Sequence, residues 1–245
     1  MIFLLFACAG LFTTEDSSAL ETWSGYVYQQ TLENENELAL MSEGRLVLEN
    51  IHGEEIQLAT QPYSDTPYYW QFEIEPEWLN QEVQIRVEGD PKTTLPMLWK
   101  SKMPSTTGSW LTGALYSQEI SFTESYFSTF IPEDLSIDLT DSNFAHLWGQ
   151  PLIPEDWSDV TIRVYDRNDD AVDIYSYQLL ENGAISENTS TGVTWFFAWN
   201  IPVGIIRLEV ETIDGDIIQT TYYSQGGDVL SAHFYALPST TGEEE

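Results

Sequence analysis

Apolar and polar positions alternate most clearly along residues 192–223, GVTWFFAWNIPVGIIRLEVETIDGDIIQTTYY. Ile206, Leu208 and Val210 fall on one face of a period-two pattern, and Arg207, Glu209 and Glu211 on the other. The preceding run, Val193 to Asn200, is rich in aromatic and β-branched residues, as a half-buried strand requires. Pro202 and Gly204 break it: proline fixes φ, and glycine supplies the positive φ of a turn. Asp214-Gly215 is a strong hairpin signal, and Ile217 to Tyr223 reads as the returning strand. Three strands joined by two tight turns predict a β-sandwich.

The same alternation marks strands at Trp23–Tyr28, Gly44–Leu48, Ile56–Ala59, Tyr69–Ile74 and Gln81–Val87, and again at Val160–Tyr165, Val172–Leu180 and Val229–Leu237. Turn-forming residues separate them at 50–55, 89–91, 154–157, 166–170 and 181–183. Two elements repeat. Trp23-Ser24 answers Trp157-Ser158, and VQIRVEGD answers IIRLEVETIDGD. Helical periodicity is nearly absent, apart from a short helix predicted within Glu119 to Phe130. The expectation is an all-β chain with two tandem antiparallel β-sandwiches, over 21–91 and 138–238. Residues 92–137, which carry or adjoin all three lysines, read as an irregular connection or an edge hairpin. The tail 239–245 reads as a disordered acidic segment.

Charge narrows the partners. Forty acidic residues against eight basic ones give a net −32, a surface that repels phosphate backbones and excludes a nucleic-acid partner. Such an exterior suits salty water, where screening relieves self-repulsion; a surface for divalent cations or basic partners is the sharper alternative.

Cys8 is the only cysteine, so neither an internal disulfide nor a Cys-based zinc site is available. It follows the apolar run MIFLLFA and precedes polar residues. Leu5-Phe6-Ala7-Cys8 resembles a bacterial lipobox, with leucine at −3 and a small residue at −1. That resemblance implies cleavage before Cys8, lipid on its sulfur and amine, the bilayer as partner and residues 9–20 as a tether. With Ala9 after the cysteine, it implies the outer membrane. Two features depart from the pattern: no Lys or Arg precedes the run, and the run is short for a signal core. A start codon downstream of the true one would account for both. An ordinary signal peptide cut after Ala9 and a buried or frayed N-terminus stay open. A spanning helix does not, since a bilayer needs about 20 apolar residues.

Candidate chemistry is sparse. His52, His146 and His233 are not spaced as a ligand pair, and neither a nucleophile elbow nor a zinc-protease segment occurs. They read as surface or strand-packed side chains, and no catalytic residue or cofactor is predicted. Asp166, Asn168 and Asp170 have the opening spacing of a calcium loop, but Ala171 stands at the glycine position and Tyr177 where a bidentate glutamate belongs. An ordinary turn is the favoured reading, with a sandwich-loop calcium site that also uses Asp173 as the alternative. Nine tryptophans and thirteen tyrosines supply core material first, and a sugar-stacking surface second.

The stretch Phe197 to Gly204, aromatic-Asn-Ile-Pro-Val-Gly, followed by the Arg/Glu alternation of 205–210, resembles carboxypeptidase regulatory-like, transthyretin-like β-sandwich domains. The likeness covers 157–237 well and 21–91 more loosely. The whole chain is similar to myxobacteria-like bacterial lipoproteins of unknown function that pair a lipobox with such domains. This implies a non-enzymatic, membrane-anchored cell-envelope lipoprotein in adhesion, scaffolding or binding, with a protein or glycan as partner. The alternative is a carbohydrate- or calcium-binding module of an envelope complex.

Overall fold

The computed structural model describes residues 22–31, 39–40, 44–60, 69–103, 110–111, 115–152, 160–180, 184–187, 193–212 and 215–235. In chain order, β1 (Thr22–Gln30), β2 (Ala39–Leu40), β3 (Arg45–Asn50), β4 (Glu55–Leu58), β5 (Tyr69–Glu73), β6 (Glu82–Glu88), β7 (Thr94–Leu95), β8 (Met97–Lys102), β9 (Trp110–Leu111) and β10 (Leu115–Glu119) precede a short helix, α1 (Ile120–Phe127). After it come β11 (Phe144–Leu152), β12 (Thr161–Tyr165), β13 (Ala171–Val172), β14 (Tyr175–Leu179) and β15 (Ile185–Glu187). The last four are β16 (Trp195–Pro202), β17 (Gly204–Glu211), β18 (Ile217–Ser224) and β19 (Val229–Tyr235).

The chain is all-β, and its strands form two sandwich cores that share one sheet. The central sheet has nine strands in the order β15-β14-β16-β11-β19-β8-β6-β3-β4. Alternate residues along its inner strands enter different cores. Phe197 and Trp199 of β16 join Trp23, Trp70, Phe72, Ile85 and Val87 on one side. Phe196 and Ala198 join Ile206, Leu208, Val210 and Leu230 on the other. The first core is closed by the sheet built around β1, which pairs with β2, β5, β9 and β10. The second is closed by the sheet β13-β12-β17-β18. Each fully buried large side chain contributes about 1.5–3 kcal/mol, so a strand buried on both faces contributes to both sandwiches at once.

Three features depart from the pattern read in the sequence. The turn after β16 is an inter-sheet corner, not a hairpin: β16 pairs with β11 and β14, whereas β17 pairs with β12 and β18. Only Val203 separates the two strands, and Asn200 (φ 53°) and Gly204 (φ 127°) take up the bend in the left-handed half of φ space. β17 and β18 do pair in antiparallel register, closed by the bond from the Thr212 N–H to the Asp216 carbonyl at 2.9 Å; Asp214 lies outside the described residues.

The stretch 92–137, read as an irregular connection, supplies β7 to β10 and α1, the last inside the predicted window Glu119–Phe130. Its β8 pairs in parallel with β19, Val229 opposite Met97, and so joins strands far apart in sequence. Residues 146–151, HLWGQP, lie in β11, which runs parallel to the other edge of β19. Parallel strands have no short connecting turn to announce them, and their two-sided burial hides the alternation. The tail 239–245, Cys8 and the tether 9–20 lie outside the described residues.

A prediction follows from the shared sheet. The full chain should unfold in one cooperative thermal transition, and residues 138–238 alone, which lack β8, should show none. A sharp transition in circular dichroism of the isolated 138–238 segment would mean that the second sandwich stands by itself.

Candidate functional site

The buried carboxylate and guanidinium side chains among the described residues come together where β3, β6 and the start of β19 meet. Arg86, Glu49 and Asp228 are 2%, 3% and 0% exposed. The Arg86 guanidinium donates from Nε to Glu49 Oε1 at 2.7 Å and from Nη2 to Glu49 Oε2 at 3.3 Å. Its Nη1 donates to Asp228 Oδ1. Asp228 Oδ2 accepts the Gln225 backbone N–H at 2.6 Å, and Glu49 Oε2 accepts from Gln84 Nε2 at 2.7 Å. Burial pulls the Arg86 pKa down, but the hydrogen bonds and charges of Asp228 and Glu49 outweigh it, and the net direction is up. Burial pushes the Asp228 carboxyl up; Arg86 pulls it back only in part, and the charge of Glu49 adds to the rise.

Gln84, also fully buried, does a second job. Its side-chain amide donates to the Tyr223 carbonyl and accepts the Tyr223 N–H, both at 3.0 Å. That is the pair of bonds a neighbouring antiparallel residue would make. Lys100 Nζ donates to the Thr221 carbonyl at 2.8 Å. Side chains of the central sheet thus cover the outer edge of β18, where an open strand would invite pairing with another chain. Gly53 makes room for this: a Cβ there would lie 1.9 Å from the Tyr223 ring.

The residues singled out from sequence do not converge. His52 is exposed in the turn after β3, where its N–H donates to Asn50 Oδ1. His146 is buried in β11, and His233 stands in β19 opposite Gln150. Asp166, Asn168 and Asp170 form the turn between β12 and β13, and Asp166 Oδ1 accepts the backbone N–H of Asn168 at 2.8 Å and of Asp170 at 3.1 Å. This Asx geometry aims the carboxylate at the chain itself. Asp169 bonds Arg207 at 2.9 Å. Among the described residues, no three His, Cys, Asp or Glu side chains gather as a metal site.

Among the described tryptophans, Trp23, Trp70, Trp148 and Trp199 are buried, and Trp78, Trp99 and Trp195 are partly so. They build the first core, not a platform. Burial pushes the Tyr177 hydroxyl up to about 12, and it donates to the Phe130 carbonyl at 2.8 Å.

The ionic cluster has no signature in the sequence. In QEVQIRV, Gln84 and Arg86 alternate with Val83, Ile85 and Val87, a pattern that assigns the polar residues to water. The missing information was that a second sandwich covers that face.

No family model and no curated protein matches the chain. Among solved structures it is similar to the Bacillus anthracis TIE protein, at 8% identity and a TM-score of 0.28 over 87% of this chain and 34% of that one. It therefore spans about a third of that protein's length. It is similar as well to BcpA, the major pilin subunit of Bacillus cereus, at 9% identity and a TM-score of 0.27 over 86% of this chain and 69% of that one. A variant of the same subunit matches at 11% and 0.27, over 87% and 70%. At these TM-scores none of them bears on what this chain does.

Three variants separate structural from ligand-binding roles. Arg86→Met strands two buried carboxylates and should cost about 3–5 kcal/mol, read as a lower urea midpoint at unchanged slope. Replacing Glu49, Arg86 and Asp228 together by apolar residues of similar volume should recover most of that loss. Asp166→Ala should cost about 1 kcal/mol through the lost turn bonds, and millimolar calcium should move the melting temperature of neither variant nor parent. A rise on adding calcium to the parent that Asp166→Ala abolishes would restore the cation site.

Proposed function

We propose that this chain is a non-enzymatic cell-envelope protein, held to the membrane by lipid on Cys8 and presenting a rigid β-sandwich body for adhesion or scaffolding. The observation that carries the reading is Leu5-Phe6-Ala7-Cys8 ahead of a folded body whose buried carboxylates and guanidinium are engaged with one another. Glu49, Arg86 and Asp228 satisfy each other, Gln84 serves a strand edge, and Asp166 serves its own turn. The likeness of Phe197–Gly204 and the strand that follows to regulatory-like sandwich lipoproteins supports the same reading.

An acyl chain adds about 0.8 kcal/mol for each buried methylene, and one chain alone attaches only reversibly. The several chains of a mature lipoprotein would hold the body firmly. A net −32 would keep that body off anionic headgroups, so residues 9–20 would act as a spacer. The test is fractionation of cells that express the parent and Cys8→Ser. The parent should pellet with membranes, and Cys8→Ser should move to the soluble fraction or persist as an uncut precursor, with its β-rich spectrum intact. A Cys8→Ser protein that pellets and migrates like the parent would sink the anchor.

A further inference from the structure

His146 sits at an irregularity of β11, where the register with β16 shifts between Ala145 and Leu147. It is 1% exposed. Its own N–H donates to the Asp228 carbonyl at 2.8 Å. Its ring Nδ1 accepts the Asn200 N–H at 3.4 Å, so in the neutral imidazole the proton is on Nε2. Nε2 has no hydrogen-bond partner among the described residues.

Asn200 is the first residue of the corner that carries the chain from the central sheet to the outer one, and its φ of 53° is unusual for a residue with a side chain. Two further bonds tie this corner to the loop ahead of β11: Asn200 Nδ2 donates to the Ser136 carbonyl at 3.1 Å, and the Val203 N–H to the Asn143 carbonyl at 3.2 Å. The loop is itself two consecutive Asx turns. Asp138 Oδ1 accepts from Thr140 N and Oγ1, and Asp141 Oδ1 from Asn143 N and Nδ2.

The groups that face the imidazole are therefore few. The Asp138 backbone and the Asp138 and Asp141 carboxylates approach from the loop, and Asn200 and the Trp199 ring (5.8 Å between centroids) from β16. The Asp228 carboxylate is turned away, committed to Arg86 and Gln225.

We propose that His146 is a proton-operated latch: a proton on Nδ1 sets two donors face to face, breaks the Asn200 bond and loosens the 136–143 loop and the 200–204 corner at the margin of the two cores, while the core interior around Ile85 stays packed. The freed imidazolium has two carboxylates, Asp138 and Asp141, to turn towards, and the loop that carries them is the one released. Nothing in this depends on the membrane anchor. Burial holds the His146 pKa down to about 4, against the pull of Asp138 and Asp141. A histidine depressed in the closed state and ordinary in the open one stabilises closure fully above about pH 6.5 and loses that contribution as pH falls towards 4.

Linkage with those two values raises the opening constant about 70-fold between pH 7.5 and 4.5. The test is amide hydrogen exchange on the full chain at both pH values, corrected for the intrinsic pH dependence of exchange. Protection of the Asn200 and Val203 amides should fall by that factor, while Ile85 in β6 stays protected. In His146→Gln, which keeps an acceptor but does not titrate, Asn200 and Val203 should show no such fall. Should His146→Gln not fold, NMR titration of the parent decides: the His146 ring signals should shift far below pH 6.5, in step with the Val203 amide. The proposal is overturned if Ile85 loses protection together with Val203, if His146→Gln opens like the parent, or if the ring titrates near 6.5 with no change at Val203.

Discussion

A guanidinium enclosed with two carboxylates, out of reach of water, is the constraint the rest of the molecule has to satisfy. Arg86 belongs to β6, Glu49 to β3, and Asp228 stands immediately ahead of β19, 142 residues beyond Arg86. Charges taken out of water cost several kcal/mol each unless their partners are held in place. The chain end that carries Asp228 is therefore tolerated in few positions. Once Asp228 is on Arg86, Val229 falls opposite Met97 on one side and His146 on the other, and β19 is fixed between two parallel neighbours. The cluster adds little net stability by itself; what it contributes is register. A slip of one residue along β19 would exchange Leu230 and Ala232 for Ser231 at the second core and leave Arg86 facing no acid.

The same region explains why a single outer sheet can close the second core without exposing its edge. An amide side chain that copies a strand's hydrogen bonds needs a fixed position, and Gln84 gets one from Glu49, itself held by Arg86. The ionic cluster, the covered edge of β18 and the vacant space at Gly53 are thus one construction, in which each part makes sense only with the others present.

Much of the strand content was legible. Alternation and β-rich composition placed β1, β3, β4, β5, β6, β12, β14, β16, β17, β18 and β19, because each has at least one polar face or a marked turn beside it. What escaped reading shares one physical cause. The strands β8 and β11 are buried on both sides, so their apolar runs carry no period, and the pairing of β8 with β19 joins segments more than a hundred residues apart. The corner at Asn200–Gly204 was visible as a break, but breaks do not say whether the next strand returns beside its neighbour or leaves for another sheet. The calcium spacing at Asp166 was visible as well, and its Asx turn shows how often that spacing serves the backbone. The buried cluster was illegible for the opposite reason: its residues occupy positions that look solvated until the covering sheet is known.

Two electrostatic regimes coexist in this molecule. Of the eight basic residues, Arg86 is consumed in the interior and Lys100 is largely covered beside β18. Arg45, Arg163 and Arg207 are tied to Glu88, Glu211 and Asp169 at 2.6, 2.7 and 2.9 Å. Few cations are therefore left over to offset an exterior whose net charge is −32. Repulsion across that exterior falls off over a Debye length of about 8 Å at physiological salt and is weakened further as salt rises. The Glu49–Arg86–Asp228 cluster has no solvent between its members and is not screened. Salt thus relieves the surface without loosening the joint between the sandwiches, and the molecule can carry its acidity because the one place where charge must be exact lies out of the solvent's reach.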